Sequence, residues 1–335
     1  MMKSILYSMS LLATFAYNNN TLDEIAAQYS GQASLNPKGF FDEIFDLPDT
    51  FLKDFLNIAN LKPPVKLAKP TKVRTPPSSE VKRHWSHGTF SYCMLSKLAD
   101  YKCLIGCPDY KVTKTFEHVL LGTFAIAGYE PTTKEIIVSH RGTSNIRNWL
   151  RDFSYGKTKM TGAPEGVLLH EGFWGVYQST AKELNQYLMT MLNDPKFKGY
   201  KVVFTGHSLG GAVSTIHAID MASKVKAKGF EVELYAYHAP RAGNQAFVDY
   251  AIAQDITIAR YTNRGDLVSH VAPRQFDFVH IPGEFHTDFS DLTGRSFREC
   301  SQDYDEDPNC GWKELKNIWL LDHAVGFGNL VNFIC

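Results

Sequence analysis

The feature that most constrains the fold of this chain is a hexapeptide, GHSLGG, at residues 206–211. It follows an apolar run at 202–204 and precedes a mostly small and apolar stretch at 212–222. This order predicts a strand, a tight turn that carries Ser208, and a helix. Glycine is needed at positions 206 and 210 because side chains there would collide with the neighbouring strand and helix. The pattern therefore predicts a serine nucleophile held clear of the backbone at a helix N-terminus, where the helix dipole favours a developing negative charge.

A serine hydroxyl is a weak nucleophile at neutral pH, so it needs a general base, and the base needs an acid that fixes its tautomer. After a serine turn of this kind, the acid and then the histidine follow along the chain. Asp266 is the best acid, because it lies just past the carboxyl end of the predicted strand 256–261. His323 is the best base, since it comes last and begins an apolar stretch near the C-terminus. The alternative bases are His270, His280 and His286.

Acyl transfer at a serine also needs two hydrogen-bond donors for the oxyanion. The backbone amide after the nucleophile, that of Leu209, supplies one of them. The second donor should follow an earlier strand, and residues 136–143 contain a strand end, Gly142 and the hydroxyl of Thr143. We therefore predict an oxyanion hole formed by Thr143 and Leu209.

From about residue 80 onward, apolar strand patterns alternate with helical patterns. Such alternation predicts a mostly parallel central sheet with helices on both faces. Combined with the serine turn, it predicts an α/β-hydrolase fold. The predicted strands are 119–127, 135–139, 200–205, 231–237, 256–261 and 276–281, and the predicted helices are 174–193, 209–227, 244–253 and 320–333.

The N-terminal part of the chain differs from the rest. Residues 1–16 combine a lysine, an apolar stretch and a small residue, which is typical of a cleaved signal peptide and hence of a secreted protein; an uncleaved anchor is the alternative. Residues 17–79 are interpreted as an N-terminal extension, or pro-segment, with a proline- and lysine-rich linker. The catalytic domain is then 80–335. Within it, Lys82–Arg83 fits either a dibasic processing site or the first helix, capped by 78–80.

Charge and cysteine content narrow the class of protein. Thirty-five basic and 35 acidic residues cancel, and no lysine or arginine stripe is present, which argues against a nucleic-acid partner. Six cysteines, an even number, suit an oxidising compartment. Their spacing favours two local bridges, but six cysteines allow 15 pairings. The favoured pairs are Cys103 with Cys107 and Cys300 with Cys310, which leaves Cys93 and Cys335.

Several segments of the chain resemble the fungal class 3 lipases, a family of secreted triacylglycerol lipases from filamentous fungi and yeasts. The resemblance spans about residues 85–335 in the family's order, and its segments are 139–153, 170–173, 203–211, 239–244, 261–273 and 321–323. It implies an α/β-hydrolase fold with a Ser208, Asp266 and His323 triad, a Thr143 and Leu209 oxyanion hole, and no metal or organic cofactor. It also supports the cysteine pairing, including Cys93 with Cys335.

The chain departs from the family at two positions near these motifs. Ser269 stands where the family often has a proline, and His238 and Ala239 precede Pro240 where the family has a glycine-containing turn. Neither position belongs to the triad. The N-terminal extension has no counterpart that aligns with the family.

The segment after Thr143 predicts a short helical lid. Ile146, Trp149, Leu150 and Phe153 are spaced as one apolar face of a two-turn helix. A helix of this length is unstable alone, so it is easily displaced as a unit. It resembles the lid of the family, which covers the site in water and rolls back at a lipid surface.

These patterns predict a monomeric, secreted serine esterase that acts on acylglycerols at a lipid–water interface and contacts lipid only at the surface. A phospholipase or a feruloyl-type esterase of the same fold is the alternative substrate class. The alternative of a different kind is a catalytically silent protein that uses this fold to bind lipid or the cell wall.

Overall fold

The computed structural model describes residues 62–67, 72–92, 109–143, 146–151, 153–290, 296–316, 318, 320–327 and 329–331. The predicted signal peptide, most of the extension, and four of the cysteines lie outside the described residues; these are Cys93, Cys103, Cys107 and Cys335. Among the described helices, none has both the length and the hydropathy needed to cross a membrane.

An eight-stranded mixed sheet forms the centre of the molecule, in the order β1-β2-β3-β6-β7-β8-β9-β10. Strands β3, β6, β7, β8 and β9 are parallel, whereas β1, β2 and β10 pair antiparallel at the two sides. The strands are β1 Lys111–His118, β2 Thr123–Glu130, β3 Glu135–His140, β6 Lys201–His207, β7 Val232–Tyr237, β8 Thr257–Asn263, β9 Glu284–Thr287 and β10 Arg298–Glu299. The predicted mostly parallel sheet is confirmed.

Two short ribbons lie outside this sheet. Strands β4, Lys157–Lys159, and β5, Leu168–His170, pair antiparallel. Strands β11, Val325–Gly326, and β12, Asn329–Leu330, form the second antiparallel pair near the C-terminus.

Helices cover both faces of the sheet, as the alternation predicted. The helices are α1 Ser78–Phe90, α2 Ile146–Arg151, α3 Glu171–Asn193, α4 Leu209–Lys226 and α5 Gln245–Ala253. Helices α3, α4 and α5 contribute to one apolar core, and α1 contributes Val81, Trp85 and Phe90 to the core on the other face. The parallel strands between these layers are buried along almost their whole length, which explains their continuous apolar sequences.

The structure differs from the sequence predictions at three places. The predicted strand 119–127 begins only at Thr123, because Val119–Leu121 is a 3₁₀ turn that ends at Gly122 with φ +61°. The predicted strand 276–281 is not a strand, since Asp277 turns with φ +58° and the sheet resumes at β9.

The predicted C-terminal helix 320–333 is also wrong. A 3₁₀ helix, Leu320–Ala324, is followed by the β11–β12 ribbon. A Cβ at Gly326 would lie 2.7 Å from the Trp85 ring, so this glycine packs tightly on helix α1. Strand pairing and this packing override the helical pattern of the sequence.

The described parts of the extension pack along the domain. The backbone N–H of Val65 donates to Asp305, and that of Val73 donates to Gln302. These contacts lie beside the Cys300–Cys310 disulfide, which confirms the predicted pairing of these two cysteines.

Lys82–Arg83 lies inside helix α1, so the helix interpretation of this pair holds. The predicted cap at 78–80 is absent, because Pro77 is the N-cap and makes no side-chain capping bond. Arg83 forms ion pairs with Glu80, Glu130 and Glu135, at 2.6, 2.8 and 2.5 Å. These contacts tie helix α1 to strands β2 and β3.

Candidate active site

Ser208 lies between strand β6 and helix α4, in a backbone conformation that L-residues rarely adopt. Its φ and ψ are 62° and −133°, and its backbone N–H donates to the carbonyl of Tyr237 at 2.9 Å. A Cβ at Gly206 would collide with the Gly210 carbonyl, and a Cβ at Gly210 would collide with the His140 carbonyl. The two glycines therefore allow the strand and the helix to approach closely enough to hold the serine in this strained turn.

Asp266 and His323 meet as the sequence predicted, although 57 positions separate them. The Nδ1 atom of His323 lies 3.0 Å from Oδ1 of Asp266. The same carboxylate accepts from the Val268 backbone N–H at 2.9 Å and from the Ser269 hydroxyl at 2.8 Å. Burial opposes ionisation of Asp266, but the His323 and His238 imidazoles outweigh it and hold the pKa of this carboxyl well below its usual range.

The segment that carries His323 is fixed by the end of strand β8. The side-chain amide of Asn263 donates to the carbonyls of Asp322 and Val325, at 3.0 and 2.9 Å. The backbone N–H of Gly265 donates to the Asp322 carboxylate at 3.1 Å. These bonds hold both sides of His323, so the ring that faces Asp266 is positioned by buried polar contacts.

The two atoms that a serine–histidine pair uses for proton transfer are not hydrogen-bonded, either to each other or to another group. Both Oγ of Ser208 and Nε2 of His323 are buried and accept or donate no hydrogen bond among the described residues. Each residue is almost fully buried, with exposed fractions of 1% and 6%. Other buried atoms, such as Oγ of Ser91 and Nδ1 of His140, also lack a partner, so this feature alone does not identify a catalytic role.

The predicted oxyanion donors lie on either side of the serine turn. Leu209 is the first residue of helix α4, so its N–H has no intrahelical acceptor. Thr143 is half-buried and follows strand β3 by three residues. Between them, Gly142 packs on the turn, because a Cβ there would lie 3.0 Å from the Cβ of Ser208 and collide with the Tyr92 hydroxyl.

Two further histidines contact the triad, and the sequence reasoning gave neither a role. His207 bridges the Tyr92 hydroxyl, at 3.0 Å from Nδ1, and the His323 carbonyl, at 2.7 Å from Nε2. His238 has φ +53°, and its Nδ1 lies 3.0 Å from Oδ2 of Asp266 without the alignment of a hydrogen bond. His207 is part of the hexapeptide and His238 departs from the family's turn, but neither fact indicates a contact with the triad.

The alternative bases have other contacts. Nε2 of His280 bonds to the Ser269 carbonyl at 2.7 Å, and Nδ1 of His286 bonds to the Thr262 hydroxyl at 2.9 Å. His270 packs with its ring edge towards Trp312. Burial lowers the pKa of His270 and of His286 to about 4, so both are neutral at pH 7.

The nitrogens of His207, His238 and His323 lie within 4.8 Å of one another, a spacing at which three imidazoles could hold a metal ion. Both nitrogens of His207 are already hydrogen-bonded, however, and Nδ1 of His323 is bonded to Asp266. A metal would have to break these contacts. The donor set therefore fits a hydrogen-bonded relay better than a metal centre.

Helix α2 lies where the sequence predicted a lid, but it is shorter than two full turns. It ends at Arg151, and Phe153 follows outside the helix. Leu150 is buried among Leu267 and Val268, next to Asp266. Trp149 packs against Phe153 and Phe173, with ring centroids 4.9 and 6.1 Å away, and the side chain of Ile146 is half-buried beside this cluster.

Comparison with known proteins places this arrangement in a family. The family model described as Lipase (class 3) matches residues 137–276. The chain is 31% identical over 222 residues to a lipase of Rhizomucor miehei, which covers 66% of this chain and 59% of the relative. It is 30% identical over 225 residues to the secreted mono- and diacylglycerol lipase 1 of Fusarium solani. The matched part is 64% of this chain and 65% of that relative. The chain thus spans about two thirds or less of the length of these curated relatives.

A solved triacylglycerol lipase is similar in structure. A serine protease triad forms the catalytic centre of that lipase, and its structure matches with a TM-score of 0.68 and 27% identity. The match covers 78% of this chain and 99% of the solved one. Sequence, fold and site geometry agree: the chain has an α/β-hydrolase fold and is similar to the fungal class 3 lipases over the matched residues.

Proposed function

We propose that this chain is a secreted serine lipase that hydrolyses carboxylic esters of acylglycerols through an acyl-enzyme on Ser208. The lipases among its relatives support this activity and substrate class. In this proposal Ser208, Asp266 and His323 form the triad, and the N–H of Leu209 with Thr143 forms the oxyanion hole.

The reaction follows from the positions of these groups. Oγ of Ser208 attacks the ester carbonyl carbon while Nε2 of His323 takes the hydroxyl proton. Asp266, ionised and bonded to Nδ1 of His323, fixes the tautomer and stabilises the imidazolium. The oxyanion bonds to Thr143 and Leu209, and removal of one such donor typically loses about 2.7–4 kcal/mol of transition-state stabilisation.

The tetrahedral intermediate then breaks its bond to the glycerol oxygen, which takes the proton from His323 and leaves as an alcohol. Water enters, gives a proton to Nε2 of His323 and attacks the acyl carbon. Ser208 recovers its proton as the fatty acid leaves. No step of this cycle needs a redox or metal partner, because every proton moves between Ser208, His323, the leaving alcohol and water.

The observation that carries the proposal is the buried contact of Nδ1 of His323 with Asp266, together with the strained turn that holds Ser208. His207, the residue before Ser208, bonds to the His323 carbonyl at 2.7 Å, which brings the two segments together. A catalytically silent lipid-binding protein would have no reason to combine a strained serine turn with an imidazole fixed on a buried carboxylate.

We further propose that helix α2 and the residues to Phe153 act as a lid that opens at a lipid surface. Leu150 is only 4% exposed and packs beside the loop of Asp266. Exposing such a side chain to water is unfavourable by roughly 1.5–3 kcal/mol, and a lipid surface removes most of that penalty. The helix has six residues, too few to be stable by itself, so it can move as a unit.

The test is the rate of tributyrin hydrolysis as the ester passes from dissolved to emulsified. The proposal expects a sharp rise above the solubility limit for the unaltered protein and at least a thousandfold loss of rate for Ser208→Ala. Ser223→Ala, an exposed serine on the same helix α4, is the matched control and should keep full activity.

Other outcomes separate the alternatives. Saturation below the solubility limit with no further rise would remove the lid proposal and indicate an esterase. Preference for phosphatidylcholine or feruloyl esters over tributyrin would change the substrate class. No labelling of Ser208 by an active-site phosphonate would remove the catalytic proposal altogether.

A further inference from the structure

The turn between strands β1 and β2 presents three consecutive apolar side chains to solvent. Val119, Leu120 and Leu121 are 79%, 92% and 56% exposed. Among the described residues, the only other large apolar side chains with comparable exposure are Val65 and Phe276, which stand singly. Single exposed apolar residues are ordinary, whereas a contiguous group marks an interaction surface.

This apolar tip is an ordered structure. The backbone N–H of Leu121 donates to Nδ1 of His118 at 3.3 Å, and that of Gly122 donates to the Val119 carbonyl at 3.2 Å. The β1–β2 pairing continues up to the last residues on either side, His118 and Thr123. The three apolar side chains are therefore held outward by a closed 3₁₀ turn.

The tip lies at the same end of the sheet as Ser208, where the parallel strands have their carboxyl ends. Ala125 of β2 pairs with His140 of β3, and His140 pairs with Gly206 of β6. Because β2 runs antiparallel to β3, the first residues of β2 lie at the same end of the sheet as the last residues of β3 and β6. Neighbouring strands are about 4.8 Å apart, so the tip is displaced from the serine strand by roughly 10 Å across the sheet.

Arg141 connects the tip to the oxyanion loop. Its Nη2 donates to the Gly122 carbonyl at 3.1 Å, and its guanidinium lies 4.9 Å from the centre of the Phe124 ring. The next residue, Gly142, packs against the Ser208 turn. The tip is therefore joined through Arg141 to the loop that packs against the Ser208 turn.

We propose that Val119–Leu121 is a fixed anchor that inserts into the surface of an acylglycerol droplet and orients the site towards it. This inference rests on the proposed lipase function and adds to it a contact that exists before the lid moves. An oil surface fits this tip because the tip offers apolar side chains at its end and no groove that a peptide or a small molecule would fill.

The test measures adsorption separately from catalysis. In a Ser208→Ala background, protein left in the water phase after centrifugation of a triolein emulsion gives the partition constant. Leu120→Asp should weaken partition at least tenfold, since one large aliphatic side chain is replaced by a charge. Thr132→Asp, in the turn at the opposite end of β2, adds the same charge and should change partition less than twofold.

Two companion measurements keep the inference separate from the proposed function. In the active protein, Leu120→Asp should leave hydrolysis of dissolved p-nitrophenyl acetate unchanged, because Leu120 is outside the site and its exposed position tolerates substitution. If the unaltered protein hydrolyses neither this ester nor emulsified tributyrin, the proposed function fails, whatever the partition shows.

Equal partition of Leu120→Asp and Thr132→Asp would overturn the anchor. Stronger binding of the tip to phosphatidylcholine vesicles than to triolein would assign it to membranes instead. Sedimentation that shows self-association abolished by Leu120→Asp would assign it to a contact between copies of this chain. Either result replaces the oil surface as its partner.

Discussion

The two halves of the candidate site are built in different ways. Ser208 follows a strand that is buried along almost its whole length and precedes an 18-residue helix, so regular structure holds it on both sides. Asp266 and His323 lie beyond strand β8, where 3₁₀ turns and loops predominate. There the positions are fixed by side-chain hydrogen bonds, such as those of Asn263 and Ser269.

This difference indicates how each half should respond to change. The serine half depends on close backbone approach, so added volume should disrupt it strongly. The acid–base half depends on buried polar bonds, so loss of one donor should misplace His323 while most of the fold persists. The following predictions test that contrast.

The largest effect is expected from Gly210→Ala. Its Cβ would collide with the His140 carbonyl, and neither backbone segment is free to move. We expect a loss of at least about 3 kcal/mol in the free energy of unfolding, together with loss of activity. Gly175→Ala in helix α3 is the matched control, because its Cβ meets nothing within 4 Å and alanine favours the helix. Comparable denaturation midpoints for the two variants would contradict this account of the serine half.

Asn263→Ala should have the next largest effect. Two buried carbonyls, of Asp322 and Val325, would lose their donor, at a loss of about 1–3 kcal/mol of stability. We expect kcat to fall roughly 10- to 100-fold because His323 loses its fixed position. Asn193→Ala, at the exposed end of helix α3, should change neither quantity. A variant with normal kcat would show that the His323 segment is positioned by other contacts.

His238→Gly should have a smaller and more selective effect. Glycine accommodates φ +53° better than histidine, but loss of the buried ring, which packs on Trp85 and Tyr261, leaves a cavity, so stability should fall while the contact with Asp266 is lost. We expect kcat to fall about 5- to 10-fold with little change in KM. His238→Asn tolerates the same backbone and can approach Asp266 with an amide, so it should recover part of the rate. An unchanged kcat in His238→Gly would mean that Asp266 needs only His323.

Asp322→Asn should produce the smallest effect, visible only as a pH dependence. Burial raises the pKa of Asp322 to about 7, so the folded protein keeps a proton that the unfolded chain releases above about pH 4. The contribution of the protonated Asp322 carboxyl to the free energy of unfolding is therefore present below pH 4 and is lost as pH rises through 7. Asparagine does not titrate and stays neutral, so the Tm of the unaltered protein should fall relative to that of the variant from pH 4.5 to 7.5. A difference that is constant across this range would exclude a titrating Asp322.

The sequence was most informative where structure is local. The hexapeptide predicted the strand, the turn and the helix around Ser208, because the glycines and the apolar periodicity act over about 20 neighbouring residues. The same reasoning failed for 276–281 and 320–333. There the chain's apolar residues are used for packing against distant elements, such as Gly326 on Trp85, and not for a regular helix or strand.

The order of an acid and then a histidine after the serine turn, and the short cysteine spacing of residues 300 and 310, were enough to select two pairs that meet in space: Asp266 with His323 and Cys300 with Cys310. The roles of His207 and His238 could not be selected in this way, because twelve histidines give no sequence signal for which of them is buried beside Asp266. The exposed tip was also hidden, since residues 119–122 continue the apolar pattern of the following strand.

By itself, the sequence determined a parallel sheet, a strained serine turn and the class of chemistry, since these depend on periodicity and on glycine at defined positions. Only the tertiary structure decided which imidazoles surround Asp266, how Asn263 holds His323, and that three apolar residues project beside the site. The physical reason is that the two kinds of interaction act over different separations along the chain. Backbone conformation is set mainly by near neighbours, whereas burial and hydrogen-bond partners depend on residues that are far apart in the chain.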